Sequence, residues 1–233
     1  MPRTLKSLKT PLRYPGGKSK AVPKLLQYLP NLFQVKEFRE PFLGGGSVAL
    51  EITKRYPHID IWVNDLYEPL YNFWCELQHN GQELQDALLG IKSIYCNPDA
   101  ARCLFITSKE QINDSDLSNF DRAVAFYIVN KCSFSGLTES SSFSAQASES
   151  NFSTNGIERL TEYSEIIERW KITNLSYESM LCDDKDTFIY LDPPYDIKDN
   201  LYGKKGEMHK RFDHDKFAHD CDQHTCPMLI SYN

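Results

Sequence analysis

Four short strand-like runs mark this chain, Lys36 to Arg39, Ile59 to Val63, Phe188 to Leu191 and Met228 to Tyr232. Helix-compatible stretches such as Ser47 to Arg55 fit between them, and strands joined by crossover helices pair in parallel. The expected fold class is therefore α/β, with a parallel-rich, doubly wound sheet. From Tyr67 to about Asn155 the patterns are helical instead, as in Leu70 to Leu77, Gln82 to Leu89 and Leu117 to Val129. That region closes on the serine-rich SFSGLTESSSFSAQASES, which reads as a flexible or hairpin-like segment. The economical arrangement is a split α/β domain at 1–66 and 157–233, interrupted by a mainly helical insertion at 67–156.

A chain of 233 residues, 41% of them hydrophobic, can bury the core of one large domain carrying an insertion. No apolar run reaches membrane-spanning length, and the opening MPRTLKSLKT lacks the apolar centre of a secretory signal, so a cytoplasmic protein is expected. The 7 cysteines, an odd and scattered set, read as reduced thiols rather than a disulfide framework. His209, His214, His219, Cys221, His224 and Cys226 match no standard zinc spacing, so no metal is expected.

The net charge of −6 argues against a non-specific polyanion binder. Its distribution is uneven, however: Arg3, Lys6, Lys9, Arg13, Lys18, Lys20 and Lys24 precede any acid. A second basic cluster, Lys204, Lys205, Lys210 and Arg211, is interrupted only by Glu207. Local patches of this kind suit a groove that meets phosphate, and each alone is equally compatible with solvated lysines.

After the first strand, EPFLGGGSVAL opens a helix and contains Gly44-x-Gly46-x-x-Ala49, the pattern of a nucleotide-binding turn. Asp65, 21 residues beyond Gly44 and at the end of IDIWV, stands where an acid would accept hydrogen bonds from a ribose. A dinucleotide or an adenosyl ligand could use the arrangement, and a plain turn with an acid cap would look the same. Pro15-Gly16-Gly17-Lys18-Ser19 is no P-loop, because that motif requires glycine where Leu12 stands.

The third strand ends in Asp192-Pro193-Pro194-Tyr195. Two prolines end a strand and stiffen the loop, which presents one carboxylate, free carbonyls and one ring. DPPY should arise by chance in a chain this long only about once in a thousand. With RYPGGKSK, EPFLGGGSVAL, VNDLYEPLYNFW, NKCSFSGL, NLSYESM and LISYN in the same order, the chain resembles the Dam-type (D12 class) adenine-N6 DNA methyltransferases. The resemblance implies a Rossmann-like methyltransferase sheet with a helical target-recognition insertion, S-adenosylmethionine as methyl donor and double-stranded DNA as partner. It also implies base flipping, since the amino group of a paired adenine is occupied. A monomer would suffice for that task.

By that resemblance Asp192, Pro193, Pro194 and Tyr195 are the catalytic set. Asp192 and the Pro193 carbonyl would accept the two amino hydrogens of adenine, and Tyr195 would stack on the base. Tyr14, Gly16, Lys18, Glu40, Phe42, Gly44, Gly46, Asp65, Tyr177 and Asp192 would line the cofactor. Asn130, Lys131, Ser133 and Ser135 would approach DNA, joined by Lys204, Lys205, Lys210 and Arg211. Chains of the family continue past the strand ending in SYN, whereas this one stops at Asn233, so the C-terminal strands are expected to be missing. A catalytically inactive DNA- or cofactor-binding remnant, or a methyltransferase acting on RNA or a protein amide, therefore stays open beside DNA adenine methylation.

Overall fold

The computed structural model describes residues 9–14, 16–136, 140–195 and 212–231. Its strands are β1 (Glu37–Glu40), β2 (Asp60–Asn64), β3 (Lys171–Thr173), β4 (Thr187–Leu191) and β5 (Met228–Ile230). Among the described residues the helices are α1 (Val22–Leu25), α2 (Ser47–Arg55), α3 (Glu68–His79), α4 (Gly81–Ile94), α5 (Pro98–Gln111), α6 (Asn119–Cys132), α7 (Ala145–Ser150), α8 (Thr154–Ile157), α9 (Leu160–Ile167) and α10 (His214–Asp222).

The five strands pair in parallel in the order β3-β2-β1-β4-β5. The α/β expectation is met, with one strand more than the sequence offered. β3 escaped notice because it is three residues long, lies at the sheet edge and begins with exposed Lys171. The chain reverses direction across the sheet between β1 and β4, so a crevice opens beyond their carboxyl ends, the usual ligand position in such sheets.

β4 is buried along its whole length and divides its side chains between two cores. Phe188 and Tyr190 enter the large cluster, where Phe188 stacks on its register partner Phe38 at 6.3 Å. Ile189 and Leu191 point the other way, into a smaller cluster with Phe217 and Cys221 of α10. α10 is thereby fixed against the face of the strand that ends at Asp192.

Helix boundaries follow local chemistry. Asn97 caps α5 by accepting from the Ala100 N–H at 2.9 Å, with Pro98 at the first turn. Ser118 accepts from the Asp121 N–H at 3.1 Å and starts α6 two residues later than the hydrophobic pattern predicts. α6 is buried without interruption from Ala123 to Cys132, as the run AVAFYIV requires. It packs on α3 through Phe73, whose ring lies 5.6 Å from Phe126 and 5.9 Å from Tyr127. Each such ring contributes on the order of 2–3 kcal/mol by burial. The serine-rich segment turns back through one antiparallel bridge, Ser133 to Phe143, and ends in α7. Lys204, Lys205, Lys210, Arg211 and Tyr232 lie outside the described residues, as do Arg3 and Lys6.

Candidate active site

The turn after β1 is built from backbone that side chains resist. Gly44 and Gly46 have φ of 51° and 68°, in the left-handed region. A Cβ at Gly44 would meet the Tyr14 ring at 2.8 Å, and one at Gly46 would meet the buried Trp74 ring at 2.8 Å. Trp74 also donates its indole N–H to the Gly44 carbonyl at 3.2 Å. The loop is therefore wedged between two aromatic rings, with its backbone facing the crevice.

Two buried acids hold this loop to the sheet. Asp65, just after β2, accepts from the Gly44 N–H at 2.9 Å and the Tyr67 N–H at 3.0 Å. Burial raises its pKa to about 6 against the pull of those two donors. Glu40, the last residue of β1, accepts from the Ala49 N–H at 2.8 Å in the first turn of α2. Burial pushes Glu40 well above the usual glutamate range; the Ala49 N–H and Lys18 oppose, while Asp192 and Asp65 add to the rise. Neighbouring Asn64 ties the floor together, donating to the carbonyls of Pro41 at 3.1 Å and Leu175 at 2.9 Å.

Across the crevice, β4 delivers Asp192, whose Oδ1 gathers three donors. The Lys18 ammonium lies at 2.8 Å, the Tyr195 hydroxyl donates at 2.8 Å and the Ser231 hydroxyl donates at 2.7 Å. Lys18 also donates to the Tyr195 hydroxyl and sits 4.9 Å from that ring's centre. Burial alone would depress Lys18, but its bonds to Asp192 and Tyr195 prevail and raise it. Oδ2 of Asp192 accepts no hydrogen bond from the described residues, and the residue lines the cavity between these walls.

The third wall is aromatic. Phe42 of the glycine turn lies 5.7 Å from Tyr177 and 5.7 Å from Phe212, and Phe217 of α10 closes the group at 5.4 Å from Tyr177. The Tyr177 hydroxyl donates to Asp220 at 2.7 Å, and Lys216 bridges Asp220 to Glu178. Burial, then the bond to Asp220, raises the Tyr177 hydroxyl above the usual tyrosine range.

These walls enclose a cavity of about 460 Å³. Tyr14, Gly16, Lys18, Glu40, Phe42, Gly44 and Gly46 all line it, together with Asp65, Tyr177 and the four residues from Asp192 to Tyr195. Motifs far apart in sequence thus meet in one place. Phe212, Asp213 and Lys216 line it as well, and sequence reasoning had not singled them out for it. Ser231 was quoted within LISYN without a role, because its contact with Asp192 depends on the pairing of β5 with β4. Among the described residues no group of three or more His, Cys, Asp or Glu could hold a metal ion.

The residues expected at DNA behave differently. Asn130 is fully buried: it accepts from the Arg13 N–H at 2.9 Å and donates to the Arg13 carbonyl at 2.6 Å and the Gly136 carbonyl at 3.3 Å. Ser133 is also fully buried and donates to the Asn130 carbonyl at 3.1 Å. In this structure both side chains brace the fold, with their polar atoms engaged inside it. Arg13 belongs to the same brace through the Ser133 carbonyl at 2.6 Å, which removes one cation from the N-terminal basic patch. Lys131 is 9% exposed with its ammonium 5.1 Å from the Tyr127 ring centre; burial, then Arg13, lowers its pKa to about 8. Ser135 sits in the short turn Phe134–Gly136, whose Phe134 side chain is exposed.

Residues 14–233 match the model of the D12 class N6 adenine-specific DNA methyltransferases. The chain is 22% identical over 198 residues to the type II methyltransferase M.MjaIII of Methanocaldococcus jannaschii, covering 79% of this chain and 68% of that protein. It is 28% identical over 189 residues to a DNA adenine methylase of Vibrio cholerae, covering 79% of this chain and 64% of that one. A third relative, the DNA N-6-adenine-methyltransferase of Escherichia phage P1, is 26% identical over 126 residues, or 15% of its own length. The chain thus spans about two thirds of the first relatives it matches. With the glycine turn and the Asp192 loop meeting at the crevice of a parallel sheet, the family match running through both identifies this chain as a member of the D12 class N6 adenine-specific DNA methyltransferases.

Proposed function

We propose that this chain transfers a methyl group from S-adenosylmethionine to the exocyclic N6 of an adenine flipped out of double-stranded DNA. The observation that carries the reading is the one-sided commitment of Asp192, a cavity-lining residue with three donors on Oδ1 and, among the described residues, none on Oδ2. The amino nitrogen of adenine is a poor nucleophile because its lone pair is delocalised into the ring. Oδ2 would accept one amino hydrogen and the Pro193 carbonyl the other, turning the lone pair toward the donor. Tyr195 would exchange its hydroxyl contact for stacking on the base. Holding the reactants in line contributes on the order of 7–11 kcal/mol.

The residues present fit the donor. A cavity of about 460 Å³ lies within the usual small-molecule range of about 300–1,000 Å³. The glycine turn brings bare backbone to it, Asp65 offers the remaining lone pairs of its carboxylate to ribose hydroxyls, and Phe42, Tyr177 and Phe212 offer an apolar slot for a purine. Lys18 and Tyr14 would sit at the methionine end. When bound, the donor supplies an activated methyl group on a sulfonium, so the protein's task is to bind, orient and exclude water.

In this reading 1–66 and 157–233 form the catalytic unit and 67–156 the recognition insertion. The apolar core runs through both, with α3 packed on α6 and on α9, so the insertion shares its core with the catalytic unit. Lys204, Lys205, Lys210 and Arg211 remain candidates for the phosphate backbone. The test is nucleoside mass spectrometry of unmethylated DNA incubated with the chain and S-adenosylmethionine, with Asp192→Ala as control. N6-methyladenine from the unmutated chain alone supports the reading. Its absence from both DNA samples, with methylation found instead in parallel incubations supplied with RNA or protein, moves the assignment to another acceptor.

A further inference from the structure

Asp192 must do more than be present: one of its oxygens has to point at a nitrogen, and the group that fixes its rotation has to come from elsewhere. We propose that Ser231 and Tyr190 are positioning residues that lock the Asp192 carboxylate with Oδ1 toward the protein and Oδ2 toward the acceptor nitrogen. The proposal rests on the adenine reading for the identity of the acceptor.

The geometry forms a directed chain. Tyr190 donates its hydroxyl to Ser231 Oγ at 3.2 Å, and Ser231 donates its own to Asp192 Oδ1 at 2.7 Å. A serine hydroxyl carries one proton, so a donor arriving from behind leaves that proton for the carboxylate. Tyr190 is fully buried in β4 and is well placed to remain the donor, since burial holds its hydroxyl well above the usual tyrosine range. Ser231 is anchored independently, its backbone N–H donating to the Leu191 carbonyl at 2.8 Å. Its hydroxyl is therefore placed relative to the residue just before Asp192. Fixing Oδ1 in this way fixes the torsion of the carboxylate, and with it the direction of Oδ2.

Lys18 and Tyr195 also bond Oδ1, but both line the cavity, where an entering ligand would compete for their contacts. Ser231 and Tyr190 do not line it, so theirs is the contact that persists through turnover. The backbone anchor survives truncation of the side chain, so Ser231→Ala removes the hydroxyl without releasing β5.

The test compares Ser231→Ala, Ser231→Thr, Tyr190→Phe and the double variant Tyr190→Phe/Ser231→Ala in the full chain. Ser231→Ala is expected to lose about tenfold in kcat with KM for DNA and for S-adenosylmethionine unchanged. Ser231→Thr restores most of the loss, Tyr190→Phe loses about threefold, and the double variant is no worse than Ser231→Ala. In protein labelled with 13C at aspartate, the Asp192 carboxyl resonance moves in Ser231→Ala and returns in Ser231→Thr. Unchanged kcat, a loss confined to KM, or a double variant that loses the product of the two single effects overturns the proposal. If the unmutated chain makes no methyladenine, the adenine reading fails by itself. The resonance then decides the positioning contact, which an unmoved signal overturns.

Discussion

The Lys18 ammonium and Asp192 Oδ1 meet at 2.8 Å, joining the N-terminal motif to the loop after β4 with both side chains less than a fifth exposed. Removing the cation leaves a largely buried carboxylate with two hydroxyl donors and, among the described residues, no counter-charge. Lys18→Met is expected to lower kcat tenfold or more, about 1.4 kcal/mol or above in the barrier. Lysine has a raised pKa here, so its stabilising contribution is complete below the unfolded value of 10.5 and disappears as pH rises through the higher folded value. Thermal unfolding followed from about pH 8 upward should show wild type losing its advantage over Lys18→Met only above about pH 10.

Gly44 and Gly46 share positive φ but differ in what surrounds them. At Gly44 the obstacle is the edge of the half-buried Tyr14 ring, which can turn aside; at Gly46 it is Trp74, fully buried and unable to move. Each alanine costs about 1–2 kcal/mol in backbone strain, and overpacking adds about 1–3 kcal/mol at Gly46. Gly46→Ala should therefore unfold at markedly lower denaturant than Gly44→Ala. Tyr14→Ala should recover part of the loss in Gly44→Ala and none in Gly46→Ala.

Asp65 is protonated below about pH 6, a consequence of its burial. A ribose held by the ionised carboxylate loses that acceptor as the proton binds. Calorimetric affinity for S-adenosylmethionine should be flat above about pH 7 and weaken as pH falls through about 6. In Asp65→Asn it should be weaker throughout and lack that inflection. A wild-type affinity independent of pH down to about 5 would place the ribose elsewhere.

What the sequence made legible is the part dictated by short-range rules. The run FIYL read as a strand because β4 is buried on both faces, and Ser47–Arg55 emerged as a helix because glycines precede it and its apolar residues repeat along one side. β3 stayed hidden because three residues at an edge carry no period. Phe212, Lys216 and Ser231 were not legible as site residues, since each reaches the cavity or Asp192 only through the packing of α10 and β5 on β4. Asn130 was placed at DNA by the family resemblance alone, yet AVAFYIV directly before it describes a helix buried all round, and the structure buries the Asn130 side chain as well.

That last reading gives a sharp test. If Asn130 met DNA, Asn130→Ala would weaken binding and leave the fold intact. As a brace, it satisfies the Arg13 N–H and the carbonyls of Arg13 and Gly136, and alanine leaves these groups unpaired beside a buried cavity. The expected cost is on the order of 3 kcal/mol of stability. Asn130→Asp keeps the acceptor for Arg13 but brings a carboxylate against two carbonyls, so it should be no better than alanine. Denaturant unfolding separates the two roles: a midpoint unchanged by Asn130→Ala would return the residue to the DNA face. A midpoint lowered without DNA present ties Arg13, and through its neighbour Tyr14 the cavity rim, to the end of α6.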